Sequence, residues 1–154
     1  MHTLHDPAAD ELTGDTFIRA ARAVLVDANK VLRERTGLAV NPFMVLRALS
    51  EAPHGRMTMN SLAKESETPR SRLAHTVAKL RGSGHLTTEE NDGHDRRFRY
   101  AVITEKGRAT VTEASAVYAE FLRTHVTACL SPAEVDLLRL VSRGLKSPTS
   151  SGRT

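Results

Sequence analysis

Two clusters of cationic and hydroxyl-bearing side chains lie within residues 68–108 and carry most of the chemistry this sequence offers. The members of the first cluster are Thr68, Arg70, Ser71, Arg72, His75, Thr76 and Lys79. The second follows the glycine-bearing break at residues 82–84 and consists of Asp95, Arg96, Arg97 and Arg99. Guanidinium, ammonium and hydroxyl groups donate hydrogen bonds to phosphate oxygens and to base edges. The two clusters therefore indicate a surface that grips duplex DNA.

The first cluster falls on a predicted helix, because Thr68-Pro69 is a helix-start signal and Leu73, Val77 and Leu80 recur at helical spacing. A short helix capped by Thr58 and a turn at residues 66–68 precede it, so the pair predicts a helix-turn-helix. Major-groove contacts are expected from the N-terminal half of the second helix, namely from Arg70, Ser71, Arg72, His75 and Thr76. Thr68, Ser71 and the first helix amides suit phosphates, and Lys79 suits a phosphate or plain solvation. The alternative for the whole helix is a solvated basic face.

The second cluster lies at the tip of a predicted β-hairpin. Residues 85–88 and 98–103 are short extended runs, and Asn91-Asp92-Gly93 marks the turn between them. Asp95 precedes Arg97 by two residues and can aim its guanidinium through a salt bridge, while Arg96 and Arg99 suit phosphates or the hairpin itself. The alternative is a surface ion pair, which contributes little.

Long helices flank this region on both sides. Apolar periodicity predicts one helix over about residues 16–36, capped by Thr13 or Asp15, and another that begins at the Asn41-Pro42 cap signal. Thr104 is expected to cap a helix that continues to about Leu130. The capping box at residues 131–134 opens a last helix that Gly144 ends. Residues 1–12 and 146–154 are expected to be disordered.

Composition limits the classes of protein that fit. The chain has 154 residues, a net charge of +4 and a sequence pI of about 9.6, which favour polyanionic partners. Aromatic residues make up 4% and there is no Trp, so stacking platforms for single strands are not expected. One cysteine, Cys129, allows no internal disulfide. Without a signal-peptide pattern or a long apolar run, the chain is expected to be cytoplasmic and not membrane-bound.

In the order and spacing of its blocks, the chain resembles the multiple-antibiotic-resistance regulator (MarR) family of winged-helix transcription factors. The matching blocks are residues 61–65, 69–73, Lys79-Leu80, Gly84, Asp95-Arg96-Arg97 and residues 103–108. The resemblance implies a mainly α (α+β) winged helix-turn-helix with a two-stranded β-hairpin wing. DNA binding would lie in residues 38–104. Residues 13–37 and 105–145 would form the dimerisation helices.

The resemblance also implies a homodimer on a palindromic double-stranded DNA operator, a repressor role and release by a small-molecule or other signal. Arg97 would enter the minor groove. An effector pocket would be bordered by Phe17, Ala21, Met44 and Arg47, which otherwise are plain core residues. The sequence departs from the family pattern at His85, at the wing tip Gly93-His94, and at Glu67, where the turn lacks its usual glycine.

Other kinds of site find little support. The sequence has no Gly-x-Ser-x-Gly elbow, no phosphate-cradling loop and no His-Glu-x-x-His, so neither an enzyme nor a cofactor is expected. The histidines lack metal-ligand spacing, apart from His125 and Cys129, which are four residues apart and more simply read as a packed thiol and an interface histidine. The competing hypothesis is a winged-helix protein-interaction module without DNA-binding function.

Overall fold

The computed structural model describes residues 7–90 and 99–146 of the chain. Over these residues the elements are α1 Pro7–Thr36, α2 Val40–Glu51, β1 Arg56–Thr58, α3 Met59–Glu65, α4 Arg70–Gly82, β2 Leu86–Glu90, β3 Arg99–Ile103, α5 Glu105–Leu122 and α6 Pro132–Lys146. A 3-10 turn at Pro53–Gly55 precedes β1, and a π-helical turn at Arg123–Thr127 follows α5. The chain divides into two compact units, with the boundary between Tyr118 and Ala119.

Helix α1 begins earlier than its apolar periodicity predicts. Pro7 occupies the first helical position and Asp10 lies in the first turn, two features that favour a helix start. Thr13 donates its hydroxyl to the Ala9 carbonyl oxygen at 2.7 Å, so it lies inside the helix and does not cap it. Residues 7–12, expected to be disordered, are therefore helical. At the other end, Gly37 adopts a φ of +75° just past the helix, in the left-handed region that glycine adopts most easily.

The start of α2 corrects a second prediction. The helix begins at Val40 with no side-chain cap from its neighbours, so Asn41 is not its N-cap. The Val40 N–H donates instead to Oδ1 of Asn29 in α1, at 2.9 Å. A side chain eleven residues upstream thus satisfies one of the orphan amides at this helix start.

The sheet has three strands, one more than the predicted hairpin. Its order is β1-β3-β2 with antiparallel pairing, and Arg56 lies opposite Val102 while Leu86 lies opposite Ile103. Strand β1 has three residues and no alternating apolar pattern, so periodicity did not reveal it. The Arg56 guanidinium stacks on the Tyr100 ring, 4.3 Å from its centroid, and lies 3.6 Å from a Glu89 carboxylate oxygen. This contact ties the three strands together across one face.

The core of the first unit collects apolar side chains from its helices and from the sheet. Its members include Leu32, Phe43, Leu46, Leu49, Leu62, Leu73, Val77, Leu80, Leu86, Ala101, Ile103, Val111 and Ala114. Each fully buried leucine or phenylalanine contributes about 1.5–3 kcal/mol by leaving water. A helix-turn-helix built on this core and followed by an antiparallel sheet confirms the predicted winged-helix fold class.

The second unit contains the π-helical turn and α6. The Ser131 hydroxyl lies 3.4 Å from the Glu134 amide, and the Glu134 carboxylate accepts from the Ser131 amide at 2.7 Å, which confirms the predicted capping box. These Ser131 hydrogen bonds hold the pKa of Glu134 below its usual value. Helix α6 continues past Gly144 to Lys146. Within residues 7–90 and 99–146, none of the helices has the length and apolar character that crossing a bilayer requires.

Candidate nucleic-acid interface

A tight turn sets the direction in which α4 leaves α3. Ser66 closes α3 by donating its amide to the Leu62 carbonyl oxygen at 2.9 Å, and the Thr68 amide donates to Ala63 at 3.0 Å. Between them Glu67 takes a φ of +51°, in the left-handed region that glycine adopts most easily. The turn therefore manages without glycine by holding a glutamate in a conformation that costs about 1–2 kcal/mol.

Helix α4 separates its charged and apolar residues between two faces. Leu73, Val77 and Leu80 are buried and anchor the helix, as predicted. The exposed residues of its N-terminal half and middle include Arg70, Ser71, Arg72, His75 and Lys79. The helix contains no acidic residue, and among the described residues no carboxylate pairs with its arginines or lysine. Within the described residues, this exposed face thus carries cationic donors without a carboxylate partner, and such a surface attracts anions.

Two predicted contact residues do not lie on that face. Thr68 is 3% exposed and Thr76 is 6% exposed. The Thr68 hydroxyl donates to Asn41 Oδ1 at 2.9 Å, and the Thr76 hydroxyl donates to the Arg72 carbonyl oxygen at 3.0 Å. Because both hydroxyls are buried and already bonded inside the protein, Thr68 and Thr76 do not lie on the exposed face of α4, contrary to the prediction.

The first turn of α4 leaves amide donors available. The amides of Arg72 and Leu73 both donate to the Pro69 carbonyl oxygen at 2.9 Å, and no side chain caps the helix start. Thr68, predicted as the cap, is turned toward Asn41 instead. The amides of Arg70 and Ser71 precede the first intrahelical hydrogen bond. The positive end of the helix dipole therefore lies in the same turn as the side chains of Arg70 and Arg72.

The base of the hairpin is fixed to α4 and α5 by short polar contacts. Thr104 accepts the Gly107 amide at 3.1 Å and donates to the Gly84 carbonyl oxygen at 2.8 Å, which confirms it as the cap of α5. Lys106 Nζ donates to the Ser83 carbonyl oxygen at 2.7 Å. A Cβ on Gly107 would collide with the His85 carbonyl oxygen, so only glycine allows α5 to pass this strand so closely.

His85 stands where the resemblance leads one to expect an apolar residue. Its Nδ1 lies 2.7 Å from the Ser83 hydroxyl, and the side chain is half-buried at the hairpin base. Burial lowers the pKa of His85, and the nearby Lys106 charge lowers it further. Both effects favour the neutral ring, so His85 serves here as a packed, hydrogen-bonded residue.

The predicted hairpin tip lies mostly outside the described residues. Asp95, Arg96 and Arg97 all fall within 91–98, and Arg99 is the first residue of β3. The two strands that lead to the tip lie within the described residues. They pair continuously, from Leu86 opposite Ile103 to Glu90 opposite Arg99. Arg81 at the end of α4 donates to the Thr88 hydroxyl at 3.3 Å, which connects α4 directly to β2.

The four residues predicted to border an effector pocket occupy two helices. Phe17 and Ala21 are exposed on α1, whereas Met44 is half-buried on α2. Arg47 donates to Glu51 at 2.9 Å. Burial raises the pKa of Tyr118, and the Arg47 charge opposes this rise as a smaller effect. Arg47 therefore lies near a half-buried phenol that the sequence did not single out.

Tyr118 and Asn41 are the residues that sequence reasoning missed at this site. Tyr118 packs its ring against Phe43 with centroids 5.4 Å apart. Asn41 was interpreted as a helix cap, although the cap-then-proline pattern at residues 41–42 equally suits a side chain that bonds elsewhere. No local signal distinguishes these two uses, because the partners of Asn41 lie 27 and 35 residues away.

His125 and Cys129 belong to no converging set of metal-ligand side chains among residues 7–90 and 99–146. In the part of the chain that the structure describes, no group of three or more His, Cys, Asp or Glu side chains converges. The His125 ring stacks on Phe121 with centroids 4.5 Å apart, and its Nδ1 lies 2.7 Å from the Thr124 hydroxyl. Cys129 is exposed. The histidine thus has a packing role within its own helical segment.

No protein-family model and no curated protein sequence matches the chain. Solved structures match it over most of its length. Sco3205, a MarR family transcriptional regulator from Streptomyces coelicolor solved in complex with DNA, is 27% identical with a TM-score of 0.80, covering 97% of this chain and 96% of that one. AbsC, a MarR family transcriptional regulator from the same organism, is 25% identical with a TM-score of 0.76, covering 95% and 99%.

A third similar structure, CouR from Rhodococcus jostii RHA1 bound to p-coumaroyl-CoA, is 24% identical with a TM-score of 0.75 and covers 94% of this chain and 98% of that one. Sco3205 and AbsC are transcriptional regulators and not enzymes, in agreement with the prediction for this chain. The order of the sequence motifs, the helix-turn-helix with its sheet, and the similarity to these structures over nearly the whole chain agree with one another. The chain therefore has the winged helix-turn-helix fold of these structures and is similar to transcriptional regulators of the MarR family.

Proposed function

We propose that the chain is a cytoplasmic, homodimeric repressor that binds a palindromic operator in double-stranded DNA and leaves it in response to a small-molecule signal. The observation that carries this proposal is the exposed, acid-free face of α4, with Arg70, Arg72, His75 and Lys79 on a firmly buried apolar anchor. Sco3205, which has the same fold, was solved in complex with DNA.

The residues on this face divide into two roles. Arg70, Ser71, Arg72 and His75 read base edges in the major groove, where an arginine bonds guanine through two donors and contributes about 1–3 kcal/mol of discrimination. Lys79 lies about one turn beyond His75 along the helix and neutralises a phosphate. The free amides at the start of α4 add a phosphate site, since helix N-termini favour anions.

The hairpin supplies the second contact of each DNA-binding half. Asp95 orients Arg97, which enters the minor groove, where narrow A·T-rich stretches attract arginine. Arg96 and Arg99 bind phosphates on either side. The described strands β2 and β3 support this role, because their continuous antiparallel pairing leads to residues 91–98. Residues 38–104 thus form the DNA-binding part.

Dimerisation is supported by apolar side chains that the single chain leaves in water. On α1 they include Ile18 and Leu25, which are 54% and 50% exposed. On α6 they include Leu137 and Leu140, which are 59% and 67% exposed. Rows of large exposed apolar side chains mark protein interfaces. We assign residues 13–37 and 105–145 to dimerisation, and a two-fold dimer requires a two-fold symmetric operator.

The release signal is proposed to be a small molecule that binds beside α2. Met44, Arg47 and Tyr118 offer an apolar side chain, a cation and a phenol, a combination that suits an aromatic anion. Phe17 and Ala21 are the remaining border residues of this proposed pocket. CouR, which shares the fold, was solved with p-coumaroyl-CoA, so this architecture accommodates a ligand.

A duplex titration tests the proposal. Purified protein is titrated by fluorescence anisotropy against DNA from the region upstream of its own gene, at several salt concentrations. Affinity should fall steeply with salt, because each neutralised phosphate contributes about −0.9 to the slope of log affinity against log salt. The competing protein-interaction module predicts no binding to any duplex at low salt, and that result would refute the repressor assignment.

A further inference from the structure

Asn41 lies where α2 meets both the turn before α4 and α4 itself. It is the second residue of α2, and because Asn29 of α1 satisfies the Val40 amide, the Asn41 side chain is not needed as a cap. It points instead toward the segment that contains the turn and α4. Its carboxamide contacts Thr68 just before α4 and Thr76 in the middle of that helix.

The two threonine contacts fix which way the Asn41 amide faces. Thr76 has one hydroxyl proton, and it donates that proton to the Arg72 carbonyl oxygen at 3.0 Å. Thr76 therefore accepts from Asn41 Nδ2, at a longer 3.4 Å. This turns Oδ1 toward Thr68, whose hydroxyl donates to it at 2.9 Å. The Thr68 bond is the stronger of the two by distance.

Burial makes these bonds matter. Thr68 and Thr76 are 3% and 6% exposed, so water does not replace Asn41 when its side chain is removed. The Thr68 hydroxyl keeps the Ser66 carbonyl oxygen as a second acceptor at 3.2 Å, so removing Asn41 breaks the bond that links the turn to α2 without leaving the hydroxyl unpaired. The two contacts also bracket the exposed residues Arg70, Ser71, Arg72 and His75, since Thr68 lies before them and Thr76 directly after them.

We infer that Asn41 is the positioning residue of the recognition helix: it holds both ends of the DNA-facing segment of α4 and, through the Asn29–Val40 bond, connects that segment to α1. This inference rests on the proposed function. A displacement of α1 relative to α2 strains the Asn29 bond first and reaches α4 through Asn41. Asn41 touches no DNA itself and acts through the helix it holds.

The test compares four proteins: wild type, Asn41→Ala, Thr68→Val, and the double variant. Ser50→Ala is the matched control, because Ser50 is also a half-buried polar residue of α2 but bonds only to Arg47 within its own helix. Affinity is measured for a duplex selected from a random library on the wild-type protein and for a scrambled duplex of the same composition. Amide hydrogen exchange of residues 70–76 is measured on the free proteins.

The inference predicts that Asn41→Ala and Thr68→Val each reduce the preference for the selected duplex about tenfold, and that the double variant loses little more than either. Exchange at residues 70–76 should rise in all three variants and not in Ser50→Ala. An equal loss of affinity for both duplexes, with the preference and the exchange unchanged, would show a general structural role and overturn the inference.

The two proposals fail in different ways. If the wild-type protein binds no duplex, the proposed function fails, and unchanged exchange in Asn41→Ala would then reject the positioning role of Asn41 as well. If the wild-type protein discriminates between the duplexes and Asn41→Ala discriminates equally, the repressor assignment stands and the positioning role of Asn41 is wrong.

Discussion

Helices α4 and α6 are both amphipathic, but they expose opposite chemistry. Helix α4 buries Leu73, Val77 and Leu80 and turns its arginines to the surface without an acidic neighbour in the helix. Helix α6 leaves Leu137 and Leu140 more than half exposed. Exposed cations attract a polyanion, whereas exposed leucines call for an apolar surface. The two helices are therefore built for two different partners.

The two helices also differ in whether their cationic side chains are paired with carboxylates. On α6 the Arg139 guanidinium lies 2.9 Å from the Asp136 carboxylate, so this pair is compensated within the helix. On α4 the corresponding cations have no such partner among the described residues. Periodicity alone does not separate the two cases, because both helices repeat apolar residues at three- and four-residue spacing. What distinguishes them is which face the surrounding core covers.

The largest effect is expected when the apolar surface of α6 is destroyed. Leu137→Asp with Leu140→Asp places two charges in the proposed interface, and the dimer should dissociate. Losing the second DNA-binding half removes the gain from linked binding, so affinity should fall about 100-fold or more. Analytical ultracentrifugation reports the mass, and anisotropy reports the DNA affinity.

Ser142→Asp is the control for that double variant, because it adds a charge to an exposed position of α6 beside the leucine row. It should leave both the dimer and the DNA affinity nearly unchanged. If the double leucine variant remains a dimer at the same protein concentrations, the exposed leucines of α6 are not the interface.

A smaller effect is expected at the wing. Arg97→Ala should weaken DNA binding about 10–100-fold without dissociating the dimer, because each half loses one charged hydrogen-bond donor. Arg97→Lys retains the charge but not the planar fork, and its affinity should lie between those of wild type and the alanine variant. Equal affinity of all three proteins would show that the wing makes no contact.

The smallest effect concerns the turn that aims α4. Glu67→Gly should raise the free energy of unfolding by about 1 kcal/mol, because glycine adopts the φ of +51° without strain. Urea denaturation measures this change. Glu65→Gly, in the last turn of α3, should change stability in the opposite direction by a similar amount. Destabilisation by Glu67→Gly would mean that the glutamate side chain stabilises the turn more than its backbone costs.

Much of the fold was predictable because its signals are local. The Ser131–Glu134 capping box, the Thr58 and Thr104 caps and the apolar spacing of α4 each depend on residues within one or two turns. The resemblance to the MarR family then supplied the order of the parts. The start of α1 was missed because residues 7–12 carry no apolar stripe, although Pro7 marks the first turn.

The errors at the site come from contacts that are distant in the sequence. Thr68 and Thr76 carry hydroxyl groups of the kind that contact DNA. Both instead form hydrogen bonds with Asn41, which lies 27 and 35 residues before them in the sequence. Strand β1 pairs with β3 more than forty residues away, from Arg56 to Val102. A hydroxyl that binds phosphate and one that bonds a buried amide look the same until the fold brings their partners together.

The most direct test of the account is to remove the cations of α4 alone. Arg70→Ala with Arg72→Ala should lower affinity for the selected duplex about 100-fold and abolish its preference over the scrambled one, while the dimer and its stability persist. Arg19→Ala, which removes an exposed and ion-paired arginine from α1, is the matched control and should bind as wild type does. Unchanged affinity and preference in the double variant would contradict the assignment of α4 as the helix that reads DNA.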